Sequence, residues 1–378
     1  MRYRSFPNDT ERKISVLGFG CMRLPLAGKR ARDIDRPLAR EMIRTAIDRG
    51  VNYIDTAWPY HGGESEKFLA DVLSDGYRER VYLATKLPSW QVKKEEDFDR
   101  ILDKQLEKLN TGHIDYYLIH ALNRDHWDTL RELGLFAFMD RALADRRIRH
   151  IGFSFHDKLE VFKEIVDGYP WEFCQIQYNY IDIEHQAGSA GLGYAYDKGL
   201  GIIVMEPLRG GSLTQTVPED VAARFKAADS KRSPADWALS WVWNDPRVTV
   251  VLSGMSTMEQ VLENLEIAER AEPGSFSADE LQSIDEVRRL YFERVQVSCT
   301  TCGYCMPCPH DVDIPNAFRF FNDAHMFDDI EGKRLNYTRF FSERGADRCI
   351  ACGECLPKCP QQIAIPDELE RVRELFYP

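Results

Sequence analysis

Residues 52–86 read NYIDTAWPYHGGESEKFLADVLSDGYRERVYLATK. A short apolar run, Asn52-Tyr53-Ile54, leads into a turn rich in Pro and Gly, and Ser65–Leu73 then spaces its apolar residues for one face of a helix. A second apolar run follows at Val81–Thr85. Two parallel strands cannot be joined by a tight turn, so strand, helix and strand in this order predict a parallel crossover unit.

The unit recurs on both sides. Further strand candidates are Ser15–Leu17, Tyr116–Ile119, His150–Phe153, Phe173–Gln177, Gly201–Met205 and Val248–Leu252, which brings the number to eight. Helical spacing falls between or after them at Leu38–Arg49, Glu96–Leu109, Leu130–Ala144, Leu159–Val166, Gly191–Lys198, Pro234–Trp243 and Met258–Ala268. Eight such units in roughly 250 residues predict an α/β chain built as a closed (β/α)8 TIM barrel rather than an open doubly wound sheet. Met1–Arg4 and the turn-rich Pro7–Thr10 predict a hairpin closing the barrel floor.

Beyond Glu280–Arg294 the chain becomes dense in Cys, Gly and Pro, which places a boundary near residue 290: a barrel over 1–290 and a small, mainly helical domain over 291–378. Lys and Arg number 49 against 61 Asp and Glu, a net charge of −12, with no basic block. That balance argues against nucleic acid and anionic membrane as partners. No apolar run approaches the roughly 20 residues of a spanning helix, and MRYRSFPNDTERK has no apolar signal core, so the expected compartment is the cytoplasm without membrane insertion.

Eight of the ten cysteines lie in the tail, as Cys299-Thr-Thr-Cys302-Gly-Tyr-Cys305-Met-Pro-Cys308-Pro and Cys349-Ile-Ala-Cys352-Gly-Glu-Cys355-Leu-Pro-Lys-Cys359-Pro. Three thiolates at two-residue spacing suit three irons of a cubane, and the Pro after the fourth Cys turns the chain away. Zinc usually takes four ligands in two pairs, a pattern these runs do not follow. The tail resembles a ferredoxin-like dicluster domain, which implies two 4Fe-4S clusters. By the crossover rule of such domains, Cys299, Cys302, Cys305 and Cys359 hold one cluster, and Cys349, Cys352, Cys355 and Cys308 the other. The first run has two residues rather than three before its last Cys, which leaves the pairing open. Cys21 and Cys174 have no basic sequence neighbours and are read as packing residues.

In a barrel of this type the working residues stand where strands end. Asp55 follows Ile54, Tyr60 lies in the next loop, Lys86 follows Thr85 and His120 follows Ile119. With Asp55-Thr-Ala-Trp-Pro-Tyr60-His-Gly-Gly-Glu-Ser-Glu66, Ala84-Thr-Lys86 and Leu118-Ile-His120, the chain from Leu17 to Asn264 resembles the aldo-keto reductase family. The resemblance implies an NADP- or NAD-dependent carbonyl or alcohol oxidoreductase in which Tyr60 passes the proton. A nearby ammonium favours phenolate, so Lys86 is expected to lower the Tyr60 pKa, with Asp55 holding Lys86 and His120 orienting the carbonyl.

The same resemblance implies cofactor contacts from Ser154, Gln175, Met205, Leu208, Arg209, Gly210, Ser253, Gly254, Gln260, Glu263 and Asn264. Three departures stand out. Phe155 replaces a common Asn, Met205 a common aromatic, and Gly254 and Gln260 the Lys and Arg of phosphate-preferring members, which leaves NAD or NADP open. Arg209 is a candidate substitute phosphate ligand. Trp58, Tyr60, Trp90, Trp127 and Phe155 are candidates for an apolar mouth.

Hydride transfer moves two electrons together and a cubane passes them singly. The sequence carries no G-x-G-x-x-G fingerprint for a flavin or dinucleotide domain. A redox partner protein, an unforeseen flavin or clusters outside turnover would each reconcile the two. The main expectation is an oxidoreductase whose tail exchanges electrons with a partner; the alternative is a ferredoxin-like electron-transfer or redox-sensing module with the barrel as docking platform.

Overall fold

The computed structural model describes residues 1–377, so Pro378, the last residue of the expected second domain, lies outside the described residues. Strands β1 (Tyr3–Phe6) and β2 (Asp9–Ser15) form an antiparallel hairpin. Eight further strands follow: β3 (Leu17–Gly20), β4 (Tyr53–Asp55), β5 (Tyr82–Pro88), β6 (Ile114–Leu122), β7 (Ile148–Phe155), β8 (Phe173–Gln177), β9 (Gly201–Met205) and β10 (Val248–Gly254). They close in the order β10-β3-β4-β5-β6-β7-β8-β9, with β10 pairing both β3 and β9 in parallel, as a (β/α)8 barrel requires.

The hairpin closes the floor through one ring. Phe6 stacks on Phe173 with centroids 5.8 Å apart and meets Tyr116 edge-on at 5.7 Å, inside a cluster with Tyr53, Leu118, Ile203 and Val250. Gly201 makes this possible: a Cβ there would stand 2.1 Å from the Phe6 ring. Two boundaries differ from the sequence reading. The first barrel strand starts at Leu17, since Ser15 is taken by the hairpin, and the helix expected over Leu130–Ala144 is two helices, Arg124–Glu132 and Leu135–Ala144, parted by Gly134 at φ +91°.

Register places the rim. Asp55 pairs with Ala84, Lys86 with Leu118 and Pro88 with His120, so three adjacent strands deliver Asp55, Lys86 and His120 to one end of the barrel.

The chain divides into two compact units, 1–210 with 235–276, and 211–234 with 277–378. The composition change near residue 290 therefore falls inside the second unit, which also contains the helices Glu219–Ala228 and Ala278–Phe292. Ser277 starts the latter with a reciprocal capping box to Glu280. The tail has a small core of its own, including Val312, Phe318, Phe321, Tyr337, Leu369 and Phe376, with Cys299, Cys308, Cys349, Cys355 and Cys359 packed against it. Among the described residues no helix is long and apolar enough to cross a membrane.

Candidate functional site

The four rim residues expected to work together meet. Lys86 Nζ donates to both Asp55 carboxylate oxygens at 2.7 Å and to the Thr56 carbonyl at 2.8 Å. The Tyr60 ring centroid lies 5.1 Å from Lys86 Nζ and 6.2 Å from the His120 ring, nearly perpendicular to the latter at 82°. Tyr60 is held by its neighbour. His61 takes φ +53°, accepts from the Leu24 N–H at 3.2 Å and places Nδ1 2.8 Å from the Ala31 carbonyl, while Gly62 and Gly63 complete a left-handed turn.

Burial works against the Lys86 charge, but Asp55 and Tyr60 outweigh it and raise the lysine pKa, so the ammonium persists. Burial pushes the Tyr60 phenol above its ordinary value, and Lys86 recovers only part of that rise. The lowered phenol pKa expected from the sequence is thus corrected: desolvation of the phenolate exceeds the ammonium's pull. Burial and the Lys86 charge together hold His120 well below the usual imidazole range, so it is neutral at pH 7. Its Nδ1 is buried without a hydrogen-bond partner.

A buried polar cluster behind this set escaped the sequence reading. Glu66, wholly buried, accepts from Thr85 Oγ1 at 2.8 Å, Gln105 Nε2 at 2.7 Å and Lys108 Nζ at 3.0 Å. Gln105 Nε2 also reaches the Lys86 carbonyl at 3.0 Å, and Lys108 Nζ sits 3.5 Å from the Trp58 ring centroid. Gln105 falls on the apolar stripe of its helix with Phe98, Ile101, Leu102 and Leu109, but its partners and those of Lys108 lie on other elements, so helical spacing alone does not reveal the cluster.

Of the mouth aromatics, Trp127 and Phe155 are fully buried core residues. Trp90 is 37% exposed, its ring 5.2 Å from His120, and Trp58 is half-buried. Cys21 is buried beside Asp55 and Lys86, and burial raises its thiol pKa, as it does for Cys174.

The expected cofactor residues line the ends of β7 to β10. Ser154 Oγ accepts from the Ala121 N–H at 2.8 Å, Gln175 Nε2 lies 3.4 Å from Met205 Sδ, and Asn264 Nδ2 donates to Ser253 Oγ at 2.9 Å. Gln260 Oε1 accepts from the Ser256 N–H, and Glu263 and Leu208 are half-buried. Arg209 is tied through Nε at 3.0 Å to Asp182, whose side chain is 10% exposed, which restricts it as a phosphate ligand.

Arg23, missed in the sequence, lies against both loops expected to bind the cofactor. A Cβ on Gly210 would stand 2.9 Å from its guanidinium, and one on Gly254 would stand 3.2 Å from its aliphatic stem. Nothing in the local sequence MRLPL marks it. The residues fit a nicotinamide nucleotide: the buried Gln175 Oε1 has no partner, and the Arg23 guanidinium stands at Gly210, where the absence of a Cβ leaves room beside the cation.

In the tail, the thiols ring two hollows. Cys299, Cys302, Cys305 and Cys359 line one; Cys308, Cys349, Cys352 and Cys355 line the other, where Cys305 also borders. Each ring borrows its fourth thiol from the opposite run. The two runs share one backbone course. Thr301 and Ala351 take φ +54° and +57°, Gly303 and Gly353 +78° and +76°, and Asp311 and Gln362 +59° and +53°, before Pro-started helices Ile314–Met326 and Ile365–Phe376. Among the described residues no three Cys, His, Asp or Glu side chains converge closely enough for a single metal ion, so hollows ringed by four thiols fit cubanes better than zinc.

The sequence model of the Aldo/keto reductase family matches residues 16–289. This chain belongs to that family. The 4Fe-4S dicluster domain model matches residues 298–364. L-galactose dehydrogenase of Arabidopsis thaliana is 26% identical over 74% of this chain and 92% of its own length. The NADH-specific methylglyoxal reductase of Escherichia coli is 25% identical over 68% of this chain and 90% of its own. Among solved structures, the holo form of an aldo-keto reductase from Bacillus halodurans aligns with TM-score 0.64 at 24% identity over 76% of this chain and 96% of that one, which shows the fold. An aldo/keto reductase from Klebsiella pneumoniae in complex with NADP and acetate aligns with TM-score 0.62 at 23% identity over 76% and 95%. As an aldo/keto reductase the chain is a nicotinamide-dependent oxidoreductase that also carries an iron-sulfur domain.

Proposed function

We propose that the barrel, residues 1–290, interconverts a small carbonyl compound and its alcohol, with Tyr60 as the proton donor to the carbonyl oxygen. The bound nicotinamide supplies or takes the hydride. The observation that carries this reading is the meeting of Tyr60, Lys86, Asp55 and His120 at one rim. A mere docking platform has no chemical need for a fully buried lysine fixed by a carboxylate beside a phenol.

In the reducing direction Tyr60 loses its proton as the oxygen gains negative charge, and the Lys86 ammonium stabilises the phenolate left behind. Neutral His120 can offer a nitrogen hydrogen to the carbonyl oxygen and orient it without competing as an acid. Asp55 keeps Lys86 charged and in place. Ser154, Gln175 and Met205 would hold the nicotinamide ring. Leu208, Arg209, Gly210, Ser253, Gly254, Gln260, Glu263 and Asn264 would hold the rest, and Arg23 would offer a further cation to the phosphates. Hydride and proton together balance the reaction at the barrel.

The eight tail cysteines of 291–378 would hold two 4Fe-4S clusters, Cys299, Cys302, Cys305 and Cys359 on one and Cys308, Cys349, Cys352 and Cys355 on the other. Such clusters pass electrons one at a time, and the proposed counterpart is a redox partner protein. The test is titration of anaerobically purified protein with NADH and NADPH followed by turnover of a panel of small aldehydes, ketones and alcohols, repeated on Tyr60→Phe. Nucleotide binding with Tyr60-dependent turnover is expected. Nucleotide binding without it overturns the catalytic reading and favours the platform.

A further inference from the structure

We propose that Glu66, Lys108 and Gln105 form a buried clamp that sets the separation of Tyr60 from Lys86, acting as positioning residues for proton transfer; this deepens the catalytic reading above and rests on it. The phenol and the cation that stabilises its phenolate come from different places: Lys86 from strand β5, and Tyr60 from the start of a short 3-10 turn, Tyr60–Gly63, that becomes left-handed at His61 and Gly62. His61 pins this turn after Tyr60, and Trp58, on its other side, is where a brace from the helices behind can act.

The clamp grips both. On the lysine side, Glu66 Oε1 accepts from Thr85 Oγ1, the residue before Lys86, and Gln105 Nε2 donates to the Lys86 carbonyl itself. Gln105 is oriented in turn by Tyr117, whose hydroxyl donates to Gln105 Oε1 at 2.7 Å. On the tyrosine side, Glu66 Oε2 fixes the Lys108 ammonium at 3.0 Å, and that ammonium lies against the indole of Trp58, two residues before Tyr60. A cation this close to an aromatic face, and only 10% exposed, is a strong contact because little water competes for it. Glu66, Gln105 and Thr85 are wholly buried, so the clamp has few alternative arrangements. Glu66 lies in the helix Ser65–Val72, and Gln105 and Lys108 lie in Glu96–Leu109. The helices behind the rim thereby brace its reacting pair.

The test is the double variant Glu66→Gln/Lys108→Met, which removes both charges and leaves neither buried alone. Its kcat for carbonyl reduction is expected to fall about 10- to 100-fold, the scale of a displacement near 1 Å, with nucleotide binding unchanged. Loosening Lys86 from Tyr60 also withdraws the one cation that favours phenolate. The alkaline limb of the kcat profile is therefore expected to move to higher pH, which a purely structural loss would not cause. Lys108→Arg keeps the ion pair and the indole contact and is expected to retain wild-type kcat and limb. Should the double variant not fold, Trp58→Leu cuts the tyrosine arm alone and is expected to give the same limb shift. A folded variant with wild-type kcat and limb overturns the clamp, whereas absence of Tyr60-dependent turnover in the wild-type protein overturns the catalytic reading instead.

Discussion

Lys86 Nζ lies 2.7 Å from each carboxylate oxygen of Asp55, and the two side chains are 0% and 4% exposed. A pair this dry stands or falls together. Lys86→Met leaves Asp55 as a buried carboxylate without its cation, and a loss of about 3–5 kcal/mol is expected in denaturant unfolding. Asp55→Asn/Lys86→Met removes both charges and is expected to recover much of that stability while carbonyl reduction stays abolished. A double variant no more stable than Lys86→Met would contradict the pairing.

The pH dependence of reduction follows from Tyr60. In the proposed reduction the acid form is the working form, and burial raises the phenol above its ordinary value of about 10. Reduction is therefore expected to hold level through neutral pH and to fall only on a strongly alkaline limb. Oxidation of the alcohol needs the phenolate and is expected to rise with pH over the same limb. Steady-state profiles in both directions check the sign, and a reduction limb near pH 7 would refute it.

Tyr60→Phe removes the proposed proton donor while keeping the ring. A fall in kcat of about 100- to 10,000-fold is expected with nucleotide affinity intact, measured by fluorescence titration beside turnover.

Arg23→Ala takes the guanidinium from beside Gly210 and the aliphatic stem from beside Gly254. Charge-assisted hydrogen bonds to phosphate contribute about 1.5–3 kcal/mol, so nucleotide affinity is expected to weaken by roughly 10- to 150-fold. Comparing the loss for NADH and NADPH shows which phosphate the arginine serves. Equal affinity in wild type and variant would remove Arg23 from the site.

The barrel floor offers a test of packing alone. Gly201→Ala would drive a methyl into the Phe6 ring, and a loss of about 1–3 kcal/mol is expected in thermal or denaturant unfolding. An unchanged transition would mean the hairpin can lift without cost.

Much of this was legible in the chain. The alternation of strand runs and helical spacing predicts eight barrel strands because a buried parallel strand must be apolar along its length and its return helix must be apolar on one face. Asp55, Lys86 and His120 could be found because each is the first polar residue after such a run. Arg23, Glu66, Gln105 and Lys108 could not, since their roles depend on side chains reaching across between elements far apart in sequence. The phenol's pKa was misjudged for a related reason: the charge of Lys86 is written in the sequence, but the loss of water around Tyr60 is a property of the folded rim. Gly134 is an intermediate case, a residue whose helix-breaking φ is permitted by its type but fixed only by packing.

The exchange of a fourth thiol between the two tail hollows has a topological consequence. A single cut in the chain anywhere between Cys308 and Cys349 separates members of both rings at once, because Cys308 stands with the later run and Cys359 with the earlier. Neither half of the tail can be trimmed away to leave one intact cage. Neither set of four thiols can therefore gather until both cysteine runs, some forty residues apart in the chain, have come together.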